Sequence, residues 1–232
     1  MEPRASFAPS SRLVGGLTID SPKVLIYAGC HGGVIKKFLE FAGVTNIEYV
    51  VNYELISKGH AIDPTMFLKD VDLFIYSPVR NKTGFNTDPI AECAHKNNIA
   101  CISFPWLQWN GYHPGLALAT PGSAGTFGQY NWYYMRFLAE ASSRHASFGE
   151  YLSAVNGLLS FDSIQAMLDD TTRILSDFES ETDIKISEFI INNYKDNLLF
   201  YWPAHPTNFF YEYFLGCLLY TSPSPTRRYA IS

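Results

Sequence analysis

The segment Lys23 to Gly43, K-V-L-I-Y-A-G-C-H-G-G-V-I-K-K-F-L-E-F-A-G, constrains this chain more than any other. Val24 to Tyr27 is a continuous apolar run with no polar alternation, too short for a helix, which is how a strand buried on both faces of a parallel sheet reads. The turn Ala28-Gly29-Cys30-His31-Gly32-Gly33 follows. Val34, Ile35, Phe38, Leu39 and Ala42 then recur at helical spacing, and Gly43 sits where a C-cap glycine belongs. Strand, glycine turn and helix together are the opening of an α/β unit.

The rest of the chain continues the alternation. Ile47 to Val51 predicts a second strand, Asp63-Pro64 an N-cap and first-turn proline, and Val71 to Tyr76 a third strand. Asp88-Pro89 opens another helix, and Ile99 to Phe104 predicts a fourth strand. The fold class is therefore α/β, a mainly parallel sheet flanked by helices. Pro105 to Tyr130 is a long loop rich in Trp, Tyr and His, a composition that favours function over filler. Helical spacing over about 131–141, 161–177 and 186–194 predicts a C-terminal helical portion. A short strand at Leu198–Tyr201 leads into W-P-A-H-P-T-N and a last apolar helix. Residues 1–22 are expected to be a loose lead-in, 23–220 a single α/β catalytic domain, and 221–232, with S-P-S-P-T-R-R, a flexible or non-native tail.

Charge and cysteine use narrow the partners. A net charge of −5 argues against nucleic acid, which requires a concentrated basic surface. The apolar run Phe209 to Tyr220 is interrupted by Glu212 and too short for a membrane span, and the N-terminus has no apolar signal region. The four cysteines form no C-x-x-C pair, which fits free thiols in a reducing cytoplasm. His31, His113 and His205 have no spacing that recommends a metal, so none is expected.

The chemistry concentrates on Cys30. It follows the first strand and precedes a helix, at the sheet edge where α/β folds place ligands. The helix dipole there favours an anion, so a thiolate is stabilised, and the amides of Gly32 and Gly33 are candidate oxyanion donors. A thiolate nucleophile needs a base. His205, between prolines after a late strand, is the best placed of the six histidines. Glu179, Glu181, Asp183 and Glu188 are the acids available to orient it. Lys37, Arg80 and Lys82 are the candidate phosphate-binding cations. Tyr112, His113 and Trp109 on the aromatic loop, with Asn208 beside His205, are the candidate substrate contacts. The glycine turn matches neither the dinucleotide fingerprint nor the P-loop.

Five ordered blocks carry a resemblance: A-G-C at the first turn, V-D-L-F-I-Y-S-P-V-R with T-D-P-I, I-S-F-P-W-L-Q-W-N-G-Y-H-P, D-I-K-I-S-E-F-I, and L-F-Y-W-P-A-H-P-T-N. From about Lys23 to Leu219 the chain resembles the WcbI-type polysaccharide biosynthesis family. The resemblance implies coenzyme A binding and acetyl transfer from acetyl-coenzyme A to a sugar or oligosaccharide hydroxyl, with Cys30 and His205 as the reactive pair. The family commonly has Gly-Asn-Cys-Gln at the turn and Gln after the third strand. Here the turn reads Ala28-Gly29-Cys30-His31, and Ser77 stands in place of the second Gln. The layout is Rossmann-like and also resembles the SGNH-type esterases, although Trp202 stands where their acid would be. Two alternatives remain beside the transferase: a thiol-dependent glycan esterase or deacetylase, and a non-catalytic glycan- or nucleotide-sugar-binding protein.

Overall fold

The computed structural model describes residues 22–59, 61–80, 83–113, 116–118, 133–135, 147–158 and 160–221. The expectations for the lead-in and the tail lie almost entirely outside these residues.

A four-stranded, all-parallel sheet forms the frame, from β1 (Val24–Ala28), β2 (Ile47–Val51), β3 (Leu73–Tyr76) and β4 (Ala100–Ser103), in the order β2-β1-β3-β4. β1 pairs with β2 from Val24 opposite Ile47 and with β3 from Val24 opposite Leu73. It is therefore internal, and every one of its residues is buried. Its alternating side chains supply two cores. Val24, Ile26 and Ala28 face a cluster that includes Ile35, Phe104, Trp109, Phe210 and Phe214. Leu25 and Tyr27 face the opposite cluster, with Leu68, Phe74, Ile90 and Ala94. A strand covered on both faces cannot alternate apolar with polar, which is why it is legible as an apolar run.

Helices cover both faces. α1 (His31–Phe41) buries Ile35 and Leu39, and ends on Gly43, whose φ of 92° favours glycine. α2 (Asn52–Lys58) follows β2 directly. α3 (Pro64–Phe67) is capped by the Asp63 carboxylate, which accepts from the amides of Thr65 and Met66. α4 (Thr87–Lys96) leads to β4 and begins one residue before Asp88.

The C-terminal part holds α5 (Phe148–Leu158), α6 (Phe161–Glu179), α7 (Ser187–Asn193) and α8 (Asn208–Thr221). Two small antiparallel pairs accompany them: β5 (Leu116–Leu118) with β6 (Tyr133–Met135), and β7 (Phe200–Trp202) with β8 (His205–Pro206). The helix expected over 131–141 is corrected where the chain is described, because Tyr133–Met135 pairs as a strand with Leu116–Leu118. Aromatic residues fit a pleated surface well, and cross-strand pairing overrides the helical spacing. The segment between α6 and α7 is pinned to the end of β4: the Asp183 carboxylate accepts from the amide and hydroxyl of Ser103, both at 2.7 Å. Among the described residues no helix is long and apolar enough to cross a membrane.

Candidate functional site

Strand order decides where a ligand fits. β1 hands the chain to β2 on one side, whereas β3 hands it to β4 on the other, so the carboxyl ends of β1 and β3 diverge. Such a switch point opens a crevice in parallel sheets. Cys30 stands at the β1 side of it, and Ser77 to Arg80 leave from the β3 side.

Cys30 occupies the N-cap of α1 with helical angles (φ −54°, ψ −28°), and its side chain makes no capping hydrogen bond. It is exposed, and all four cysteines are free. The backbone of the turn is fixed from below. Tyr49 on β2 donates its hydroxyl to the Gly29 carbonyl at 2.5 Å, and its ring lies against Gly32. A Cβ at Gly32 would stand 2.3 Å from Tyr49 Cε2, so only glycine fits under that ring. The two amides nominated as oxyanion donors are already used: Gly32 donates to the Gly29 carbonyl at 3.0 Å and Gly33 to the Cys30 carbonyl at 3.2 Å. Either would have to share its hydrogen with a substrate oxygen.

Cys30 is exposed, whereas His31 beside it is buried. Only 4% of its surface is accessible, and its Nδ1 lies 2.9 Å from the Tyr211 hydroxyl on α8. Burial, and secondarily the nearby His205, lower its pKa to about 4. His205 opens β8 and is itself exposed. Its charge bears on that of His31, which adjoins Cys30 in the chain. Three tyrosines missed by sequence reading feel the sulfur: Tyr49, Tyr53 and Tyr211 all have raised pKa values, each mainly through burial and each further through Cys30.

The remaining nominated residues divide. Arg80 is paired with Glu181 on an exposed surface. Lys37 is exposed on α1, beside the Lys36–Glu40 pair. Lys82 lies outside the described residues. His113 packs its ring 5.0 Å from Trp202, and Asn208 is exposed at the start of α8.

Trp109 and Tyr112 are corrections. Trp109 is a core side chain, 2% accessible, with Tyr112 and Tyr194 each at 5.2 Å. A Cβ at Gly111 would fall 1.9 Å from its indole, so the glycine lets the ring fold inward over its own loop. The Tyr112 hydroxyl faces the carbonyls of Tyr194 (2.9 Å) and Asn197 (2.7 Å) as donor and accepts from the Leu199 amide, which makes it a structural staple. The acids are similarly engaged. Glu179 accepts from Ile186 and Ser187 at the start of α7, Glu181 holds Arg80, and Asp183 holds Ser103.

The frame is thus an open parallel α/β sheet with an exposed, free thiol at the carboxyl edge of its first strand. The profile of the polysaccharide biosynthesis enzyme WcbI family matches residues 23–219, and the chain belongs to that family of polysaccharide biosynthesis enzymes. The chain is also similar to a solved structure of WcbI, described as a novel polysaccharide biosynthesis enzyme in a native form without a disulfide bond between coenzyme A and a cysteine of that protein. The TM-score is 0.62 at 19% identity, covering 87% of this chain and 69% of the other. At that identity the likeness concerns the fold. No curated protein matches the chain.

Proposed function

We propose that this protein transfers an acetyl group from acetyl-coenzyme A to a sugar hydroxyl during assembly of a capsular or surface polysaccharide, in the cytoplasm. The observation that carries the reading is the exposed, free thiol of Cys30, held uncapped at the start of α1, for which His205 is the proposed base. Coenzyme A and a cysteine are named together for the solved WcbI structure, which supports placing the thioester beside Cys30.

His205 takes the Cys30 proton, and the thiolate attacks the thioester carbonyl. Coenzyme A leaves as the thiol, and His205 then deprotonates the acceptor hydroxyl, which attacks the acyl-cysteine. Arg80, Lys37 and Lys82 are the cations proposed for the cofactor phosphates. Exchange of Glu181 for phosphate costs Arg80 little, because exposed ion pairs are worth about 0–1 kcal/mol. His113 and Asn208 remain candidate substrate contacts. The exposed Trp106 is a further proposed aromatic contact for the substrate.

The test is incubation with acetyl-coenzyme A, followed by intact mass and free coenzyme A release. Wild type is expected to acquire an acetyl adduct or release coenzyme A. Cys30→Ala is expected to do neither, and His205→Ala to do so at least about 100-fold more slowly. Equal release from wild type and Cys30→Ala would remove the cysteine from the mechanism.

A further inference from the structure

Gly29 is a glycine that the fold does not require. Its φ lies outside the left-handed range that favours glycine. Among the described residues, a Cβ built on it would meet only Asn52 Oδ1, at 3.9 Å, and Tyr53 Cε1, at 4.0 Å, both ordinary van der Waals contacts. Gly32 is the opposite case, since the Tyr49 ring leaves a side chain there no room. Alanine would fit at Gly29, and glycine instead leaves a slot one residue before the exposed thiol.

Both walls of the slot come from the chain that leaves β2. Parallel pairing sets Ala28 opposite Val51, so Gly29 and Asn52 leave the carboxyl edge of the sheet side by side. The Tyr53 ring is 52% exposed. Its pKa is raised by burial first and then by the charges of Cys30 and Glu54, which agrees with a ring beside the thiol. The Asn52 amide makes no hydrogen bond among the described residues. An amide both donates and accepts, and an aromatic ring offers a flat apolar face. Together they match a sugar, whose C–H face lies on the ring and whose hydroxyls pair with the amide.

Charge separates this side of the thiol from the other. Between Val44 and Ser57 the chain carries Glu48 and Glu54 but no Lys or Arg, whereas Arg80 follows β3. Phosphates are favoured on the Arg80 side, and an uncharged ligand on the Asn52 side.

We infer that Gly29, Asn52 and Tyr53 form the acceptor subsite, where an uncharged sugar unit stacks on Tyr53, pairs with Asn52 and presents a hydroxyl at Cys30. The inference rests on the proposal that Cys30 carries the acetyl group. In the step it serves, the sugar oxygen bonds to the acetyl carbon and the sulfur–carbon bond of acetyl-Cys30 breaks. The hydroxyl proton passes through His205 to the departing sulfur.

The experiment reads occupancy at the thiol and needs no acylation. Alkylation of Cys30 by iodoacetamide is followed by peptide mass with increasing methyl glycosides of glucose, galactose, mannose and N-acetylglucosamine, and of glucuronic acid as the charged probe. At least one neutral glycoside is expected to slow alkylation saturably, and the glucuronic acid glycoside to do so more weakly. Tyr53→Ala and Asn52→Leu are each expected to weaken protection roughly 5–10-fold, and Tyr53→Phe to stay within about 2-fold of wild type. Gly29→Ala is expected to abolish protection with thermal melting and sugar-free alkylation unchanged, because its methyl group fills the slot without a clash. Glu54→Gln is expected to narrow the gap between charged and neutral probes.

Absence of protection by every neutral glycoside of the set would overturn the inference. So would undiminished protection in Tyr53→Ala and Gly29→Ala. A Tyr53→Ala protein that keeps sugar protection but loses acetylation by acetyl-coenzyme A would assign the ring to the donor, and overturns it as well. Slot-dependent protection in a protein whose Cys30 is never acetylated would sink the transferase reading and leave the sugar subsite standing.

Discussion

Two helix starts in this molecule are built in opposite ways. At α7 the Glu179 carboxylate, 7% accessible, reaches from the end of α6 and accepts from the amides of Ile186 (2.7 Å) and Ser187 (2.9 Å) and from the Ser187 hydroxyl. At α1 there is no acid in the first turn and no side-chain cap, and the N-cap residue is an exposed cysteine. A helix N-terminus demands negative charge or acceptors. α7 meets the demand with a buried carboxylate, whereas α1 meets it only with turn carbonyls, those of Gly29 and Cys30, and places no negative side chain there.

That contrast is open to direct attack. The largest effect is expected at the satisfied end. Glu179→Ala strips the acceptor from three buried donors and should lower unfolding stability by roughly 3–4 kcal/mol in urea melts. A loss under about 1 kcal/mol would show that the cap is incidental.

Next comes acid. His31 is neutral in the fold, with a pKa near 4 against an ordinary 6.5, so the unfolded chain binds the proton first as pH falls. Its contribution is fully present above about pH 6.5 and is lost between 6.5 and 4, at most about 3 kcal/mol. His31→Asn should flatten stability across that window, and an unchanged slope would assign the acid sensitivity to other groups. Gly32→Ala, which drives a methyl group into the Tyr49 ring, should cost about 2 kcal/mol by thermal melting, and a neutral result would mean that the ring moves freely. Cys30→Ala closes the series. Its stability should stay within about 0.5 kcal/mol of wild type, because an exposed sulfur outside any hydrogen-bonded cap contributes little to the fold.

The legible parts of the sequence share a physical cause. β1 announces itself because a strand buried on both faces must be apolar throughout, and the α3 start because Asp63-Pro64 is both cap and fixed φ. The place of Cys30 is legible because a parallel sheet's carboxyl edge collects whatever follows its strands. Tyr133–Met135 is not legible, since its pairing partner at Leu116–Leu118 is distant in sequence and nothing local specifies it. Trp109 deceives for a related reason. Its loop composition suggests a surface wall, whereas the missing side chain at Gly111 lets the indole close over the backbone into the core. Tyr211 carries no signal at all. In F-F-Y-E-Y-F one tyrosine resembles the next, and only the tertiary fold selects the one that meets His31.

The bond between His31 and Tyr211 joins residues 180 apart. On a ribosome that separation is time: at about 5–20 residues per second, roughly 10–35 seconds pass between synthesis of the thiol's turn and synthesis of its phenol partner. Through that interval the imidazole at the start of α1 has no Tyr211 hydroxyl to meet its Nδ1. The buried side of this turn is thus completed only when the last helix has been made.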